Sequence, residues 1–542
     1  MFTLSNHGVG APGALGSDLE RLQRAQRRSG TIGAVYALGG TATAILLSAV
    51  TGNPIIGPAA IGGTILLTAL TIWLWKEPVR GVYVLFGAAA LLAAYVESGL
   101  TDYIGWYLPF FEDIKSWSHT GLIISPAELF MTLTLAIWLL KGIAQRDLHF
   151  DRGSLMLPLG LYMLVVFTSE IRGAGSGGSF HDSLWELRSQ VYMLIAYVLV
   201  CNLVKTRSHL TKLLWILLIV VGLRGIEGTF QYLFVLRAQD VSTHQLYPHE
   251  QSYFFNGFLV LTILLFLYGG SHRMKRVALY LLPFVLIANI ANNRRASIAA
   301  LVISLIVLGL ITWITQPRSR KTIKWIVIVL GLVYPPYYLH YQSNTGFLAL
   351  PARAISSSFR PTASDASSNQ YRVAEDLDIM TTVKSSSTTA IAGYGFGKPM
   401  LSPYWLPNIG YVFQYLMPHN SILWIWMRLG TIGYLIFWFL IGSAIVQTTQ
   451  LVRRIRDRAS QGIALFILLM LLQQVIISYV DLQWSNYRAM IFTGVLFALI
   501  SRLSMFTASD TKPAADFTPV GESRGSRRAT VPGRPALALS ER

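Results

Sequence analysis

Apolar runs of about 17–25 residues recur along almost the whole chain, each bounded by short polar segments. Fourteen such runs can be marked, at 32–50, 55–75, 80–96, 120–140, 154–170, 188–204, 211–233, 252–270, 277–291, 296–315, 323–341, 419–449, 461–480 and 486–505. Runs of this length match the span of an α-helix across a bilayer's hydrocarbon core. The pattern therefore predicts an all-α polytopic membrane protein with about fourteen transmembrane helices. A polar N-terminal segment, 1–31, precedes them, and no cleavable signal peptide is apparent there. A Pro-, Arg- and Ser-rich tail, 506–542, follows and reads as disordered.

Composition agrees with the pattern. Of 542 residues, 53% are hydrophobic and only 13% charged, against about 25% charged in a soluble domain. The single cysteine, Cys201, excludes disulfides and cysteine metal sites within the chain. The net charge of +18 raises the question of nucleic acid, but its distribution points to topology. Most Lys and Arg fall in alternate connections, such as Lys141/Arg146/Arg152, Arg273/Lys275/Arg276 and Arg453/Arg454/Arg456/Arg458. By the positive-inside rule these connections and both termini are cytoplasmic. Nucleic acid is not an expected partner.

This orientation puts four segments outside: 97–119, 171–187, 237–251 and the longest, 342–418, between the eleventh and twelfth runs. In the last, 353–369 is Ser/Ala-rich and reads as mobile. Residues 370–384 carry apolar positions at Val373, Leu377, Met380 and Val383, which predict a short amphipathic helix on the membrane surface.

Several residues in or beside these segments could carry chemistry. Arg294 and Arg295 occupy a tight external turn, where the positive-inside rule disfavours them. They are snorkelling residues or ligands for an anion such as a diphosphate, which the guanidinium fork suits. Arg372 either binds an anion or pairs with Glu375 and Asp376 one turn along its helix. Gly393, Gly395 and Gly397 form a turn that either meets an anion or packs close to a helix. His419, followed by Asn420 at the start of the twelfth run, is either an interfacial cap or a base. Arg224 and Glu227 lie three apart within one run and can pair while lining a polar cavity. Arg428 is placed to face the same cavity as His419, while Glu170, Arg172, Glu186 and Arg188 flank 171–187, the third external segment once the short 51–54 connection is counted.

The stretch Pro418-His419-Asn420-Ser421-Ile422-Leu423, followed by Leu429-Gly430 and Gly433, resembles the C-terminal signature of the O-antigen ligase and O-antigen polymerase superfamily. The glycine triplet, Arg372 some twenty residues before it, and the Arg294-Arg295-Ala296-Ser297 turn fit the same order, and the run containing Asn256 looks similar to that family's Asn-bearing helix. The resemblance covers about 250–440. It implies a GT-C-like fold and a bacterial plasma-membrane glycosyltransferase, inverting and metal-independent, with no cofactor. Its donor would be a glycan on a polyprenyl diphosphate at the outer face, and its acceptor a glycan or lipid. Membrane lipids and other polysaccharide-assembly proteins are the further partners it implies. His419 would be the base or would position the acceptor, and Arg372 with Arg294 or Arg295 would hold the diphosphate. Asn420, the three glycines, Arg188 and Arg224 would support them. The number of runs favours polymerase over ligase. A multi-span transporter or flippase of lipid-linked glycans is the alternative, although paired broken helices are not visible. A dolichyl-phosphate-mannose type enzyme would place carboxylates in its first external loop, here Thr51-Gly52-Asn53-Pro54, which has none.

Overall fold

A computed structural model describes residues 56–92, 108–117, 123–236, 246–344, 346–407 and 413–511. Every regular element among them is helical. In chain order the principal helices are α1 Ile56–Lys76, α2 Val79–Leu91, α3 Pro126–Gln145, α4 Met156–Gly175, α5 Phe180–Leu203, α6 Arg207–Phe230, α7 His249–Leu267, α8 His272–Ala291, α9 Arg295–Thr315 and α10 Arg320–Tyr341. Three shorter or more polar helices follow, α11 Leu350–Phe359, α12 Ala363–Lys384 and α13 Ser387–Ala392. The bundle closes with α14 Ser421–Arg454, α15 Arg458–Ile477 and α16 Tyr487–Thr511.

Among the described residues ten helices are long and apolar enough to cross a membrane: α3, α5 to α10, and α14 to α16. The chain is a multi-pass membrane protein. The apolar runs at 55–75, 80–96 and 154–170 also fall on helices, α1, α2 and α4, which are not among the ten. The run at 32–50 lies outside the described residues, as do 1–31, His244 and 512–542. At the C-terminal end α16 continues to Thr511, so 506–511 of the stretch expected to be disordered are helical.

Depth in the bundle differs sharply between helices of similar hydropathy. In α7 and α16, 83% of the apolar window is buried, whereas in α10 none of it is. A bilayer solvates an apolar surface as well as a protein core does, so hydropathy alone cannot sort central from peripheral helices. Polar stitches identify the centre instead. Asn256 of α7 donates to the Ser297 carbonyl at 2.8 Å and to its Oγ at 2.9 Å, and accepts from Asn289 at 3.2 Å. Asn292 donates to Ser252 Oγ at 2.7 Å and accepts from the Tyr247 N–H at 2.9 Å. Asn293 then adopts φ of 48°, a left-handed conformation that asparagine tolerates better than most residues. Together these contacts fix the α8–α9 turn, and with it Arg294 and Arg295, against the head of α7.

The segment read as mobile, 353–369, is helical instead. Pro351 sits in the first turn of α11, and Thr362 and Asp365 form a reciprocal cap that starts α12. The expected amphipathic helix at 370–384 is the second half of α12, with its faces exchanged. Val373 and Leu377 are exposed, while Glu375, Asp378 and Thr382 are buried together with Ile379 and Val383. Its inward face is mostly polar because it packs on a polar site, not on lipid. The third external segment is also shorter than its Gly/Ser composition suggests. Helix α4 runs to Gly175 and α5 begins at Phe180, capped by Ser179 accepting from the Asp182 N–H.

Candidate functional site

At the end of the bundle opposite the basic connections, the α8–α9 turn, α11, α12, the head of α14 and the α15–α16 connection enclose a cavity of about 790 Å³. His419, Arg372, Arg294 and Arg295 all line it. So do Arg353 and Arg360, which no sequence pattern singles out, and His249 and Asp481. Five arginines thus face two aspartates, Asp365 and Asp481, around one space.

His419 is held by a residue 44 positions away. Its backbone N–H donates to Glu375 Oε2 at 2.9 Å, and its Nδ1 lies 3.2 Å from both carboxylate oxygens. A carboxylate only accepts, so Nδ1 is the donor of this pair, and the tautomer with its proton on Nδ1 leaves Nε2 as an acceptor. Glu375 is 1% exposed, and the Tyr371 ring meets the imidazole edge-on at 5.7 Å. Glu375 therefore hydrogen-bonds His419, and it supports the charge of Arg372, the neighbour one turn back that helix spacing favoured, only through space. The helix cap beside it is a separate job: the Asn420 side chain accepts from the Leu423 N–H at 3.2 Å. Burial lifts the Asp376 carboxyl from 3.8 to about 6, against a hydrogen bond from Asn420 that lowers it.

The arginines divide into engaged and free. Arg294 donates to His249 Nε2 at 2.8 Å and to the Tyr247 carbonyl at 2.9 Å. His249 Nδ1 in turn lies 3.8 Å from Asp481. Arg295 pairs with Asp365 at 3.3 Å and reaches Ser357 Oγ at 3.5 Å. Arg372, Arg353 and Arg360 make no side-chain hydrogen bond or ion pair with the described residues. Burial works against the charge of Arg372, Asp481 supports it most, and Arg295 opposes it. A half-buried cation with only through-space compensation has the charge and free donors to hold an anion. Burial likewise raises the Asp481 carboxyl, with Glu250 adding to the effect.

The remaining sequence candidates lie elsewhere. Arg428 does not face the cavity: its Nε pairs with Glu186 at 2.6 Å, and both side chains are fully buried. Its other nitrogens donate to the carbonyls of Gly395, Lys398 and Leu416 at 2.7–2.9 Å. Gly393, Gly395 and Gly397 wrap this pair with φ of 97°, 89° and 72°, and the Gly397 N–H donates to Glu186 at 2.8 Å. A Cβ at each would strike backbone, of Arg428, Gly173 and Ser179 respectively. The glycine turn is thus a close-packing device on α4, α5 and α14, the second of the two expectations for it. Gly430, with φ of 68°, breaks α14 where that helix meets Gly393. Arg188 is buried against Asp113 at 2.7 Å and Glu128 at 2.9 Å, and also bonds the Ile123 carbonyl. Arg224 pairs with Glu227 at 2.6 Å and stacks over Tyr247 at 4.3 Å, one layer behind the cavity. Through Tyr247, whose carbonyl also receives Arg294, Arg224 supports the site without lining it.

Among the described residues no three His, Cys, Asp or Glu side chains gather as a metal site. No family model matches the chain, and no curated protein matches it.

Proposed function

We propose that this protein is a membrane glycosyltransferase that moves a glycan from a polyprenyl-diphosphate donor to a hydroxyl acceptor at the outer face of the plasma membrane. The observation that carries the reading is the juxtaposition, in one cavity at the end of the bundle opposite the basic connections, of a carboxylate-held histidine with Arg372, whose side chain makes no hydrogen bond with the described residues. Glycosyl transfer from a diphosphate needs both. The acceptor oxygen attacks the anomeric carbon as the bond from that carbon to the diphosphate oxygen breaks. His419 Nε2 takes the hydroxyl proton, and Glu375 stabilises the imidazolium that results. The departing lipid diphosphate keeps the electron pair, and Arg372, with Arg294 and Arg295 beside it, neutralises the developing charge. Attack opposite the leaving group inverts the anomeric centre. Arginines supply the cationic charge in this scheme, so no metal is required of it.

A GT-C-like arrangement of about fourteen spans, with 342–418 folded over the site, belongs to the same proposal. It supports assembly of a cell-surface polysaccharide by polymerase or ligase chemistry. The reading is tested by supplying purified protein with a polyprenyl-diphosphate oligosaccharide, with and without excess chelator. Transfer undiminished by chelator is expected. Strict dependence on a divalent cation would refute the mechanism. A product still on diphosphate lipid identifies a polymerase, and one on another lipid or on protein a ligase.

A further inference from the structure

The cavity holds more positive charge than one diphosphate requires, with five arginines against two aspartates. Arg294, Arg372, His249, His419 and Asp481 influence one another electrostatically. Arg353 and Arg360, on α11 and immediately after it, line the same cavity, and Arg295 reaches Ser357 between them. Neither makes a side-chain hydrogen bond or ion pair with the described residues. They are seven positions apart, about 10 Å along a helix axis and on one face of it. Between and around them lie the hydroxyls of Ser356 and Ser368, with those of Ser357 and Thr362 already bonded to Arg295 and Asp365. Arginine forks interleaved with hydroxyls match a chain of sugar hydroxyls that bears carboxylates at intervals. The wall is also anchored. Ala349, Leu350, Ala352 and Ala354 are buried, and α11 packs on α8, α9 and α10.

We infer that the α11 wall is a glycan subsite selecting an acidic saccharide, one that carries uronic-acid carboxylates, through Arg353 and Arg360. The inference rests on the transferase reading for its biological meaning, but the subsite itself is a binding surface that can be measured without transfer. A charge-assisted hydrogen bond to each carboxylate predicts discrimination of about tenfold or more over a neutral glycan.

Two measurements test it on the purified full-length protein. The first is direct binding of lipid-free oligosaccharides, one containing hexuronic acid and one neutral but otherwise matched. The second is kcat/KM for the same glycans on polyprenyl diphosphate. The wild type is expected to bind and use the acidic glycan about tenfold or more better. The double variant R353Q/R360Q loses that preference while its handling of the neutral glycan is unchanged, and R353K/R360K retains much of it. Equal losses for neutral and acidic donors would overturn the inference, since the arginines would then serve the diphosphate. Equal binding of the two lipid-free glycans by the wild type would overturn it as well. Selective binding without any transfer would leave the subsite standing and defeat only the transferase reading. Thermal melting of both variants at the wild-type temperature keeps a folding defect from imitating the result.

Discussion

Replacing Glu375 by Gln removes one charge from the site and almost no volume. The Gln carbonyl can still accept the His419 backbone N–H, which lies 2.9 Å from Glu375 Oε2, so the loop before α14 keeps its anchor. What is lost is the anion 3.2 Å from Nδ1 that stabilises an imidazolium formed during transfer. A hydrogen bond to a charged group contributes about 1.5–3 kcal/mol, and Glu375 is buried enough for the upper half of that range. At about 1.4 kcal/mol per decade, kcat should fall about 40- to 140-fold. KM should change little, because the arginines that hold the donor are untouched. The assay is steady-state transfer from a polyprenyl-diphosphate oligosaccharide, with detergent-solubilised melting as a control for folding. A folded E375Q protein with kcat within about twofold of wild type would refute the assignment of His419 as the proton acceptor.

Two further variants separate scaffold from site. Arg428→Ala strands the fully buried Glu186 and three carbonyls, which should cost about 3–5 kcal/mol and appear as lost expression or a lowered melting temperature. A normally melting but inactive R428A would instead return Arg428 to the site. Asp376→Asn tests the sign of a pH effect. With its carboxyl raised to about 6, Asp376 favours the folded state when protonated, and that contribution is lost as pH rises from about 4 through 6. D376N should therefore melt higher than wild type at pH 7, with the difference closing towards pH 4. A difference independent of pH would show that Asp376 is not held up by burial.

The spans were legible because a helix crossing lipid must be about twenty residues long and apolar, which is a local property. Arg294, Arg295, Arg372 and His419 stood out because each sits where membrane topology or solvation disfavours it, and the structure gathers all four around one cavity. Glu375 was visible but misassigned. Helix spacing pointed it at Arg372, while a backbone N–H and an imidazole 44 residues on offer it two hydrogen bonds that no local rule can see. Arg353 and Arg360 were hidden in a Ser/Ala-rich stretch whose composition suggests mobility. The Thr362–Asp365 cap and Pro351 are the signals that mark its helices. The glycines and Arg428 were legible as unusual but not as scaffold, because the pairing that explains them, Arg428 with Glu186, spans 242 positions.

The central claim is that His419 and Arg372 perform glycosyl transfer together, and it is tested most directly by one comparison. Wild type, His419→Ala and Arg372→Ala are purified, checked for equal melting, and given the same polyprenyl-diphosphate oligosaccharide and acceptor. The wild type should form glycosidic product while both variants, still folded, form none above background. Near-normal product from the two variants, or no product from the wild type with any such donor, would contradict it.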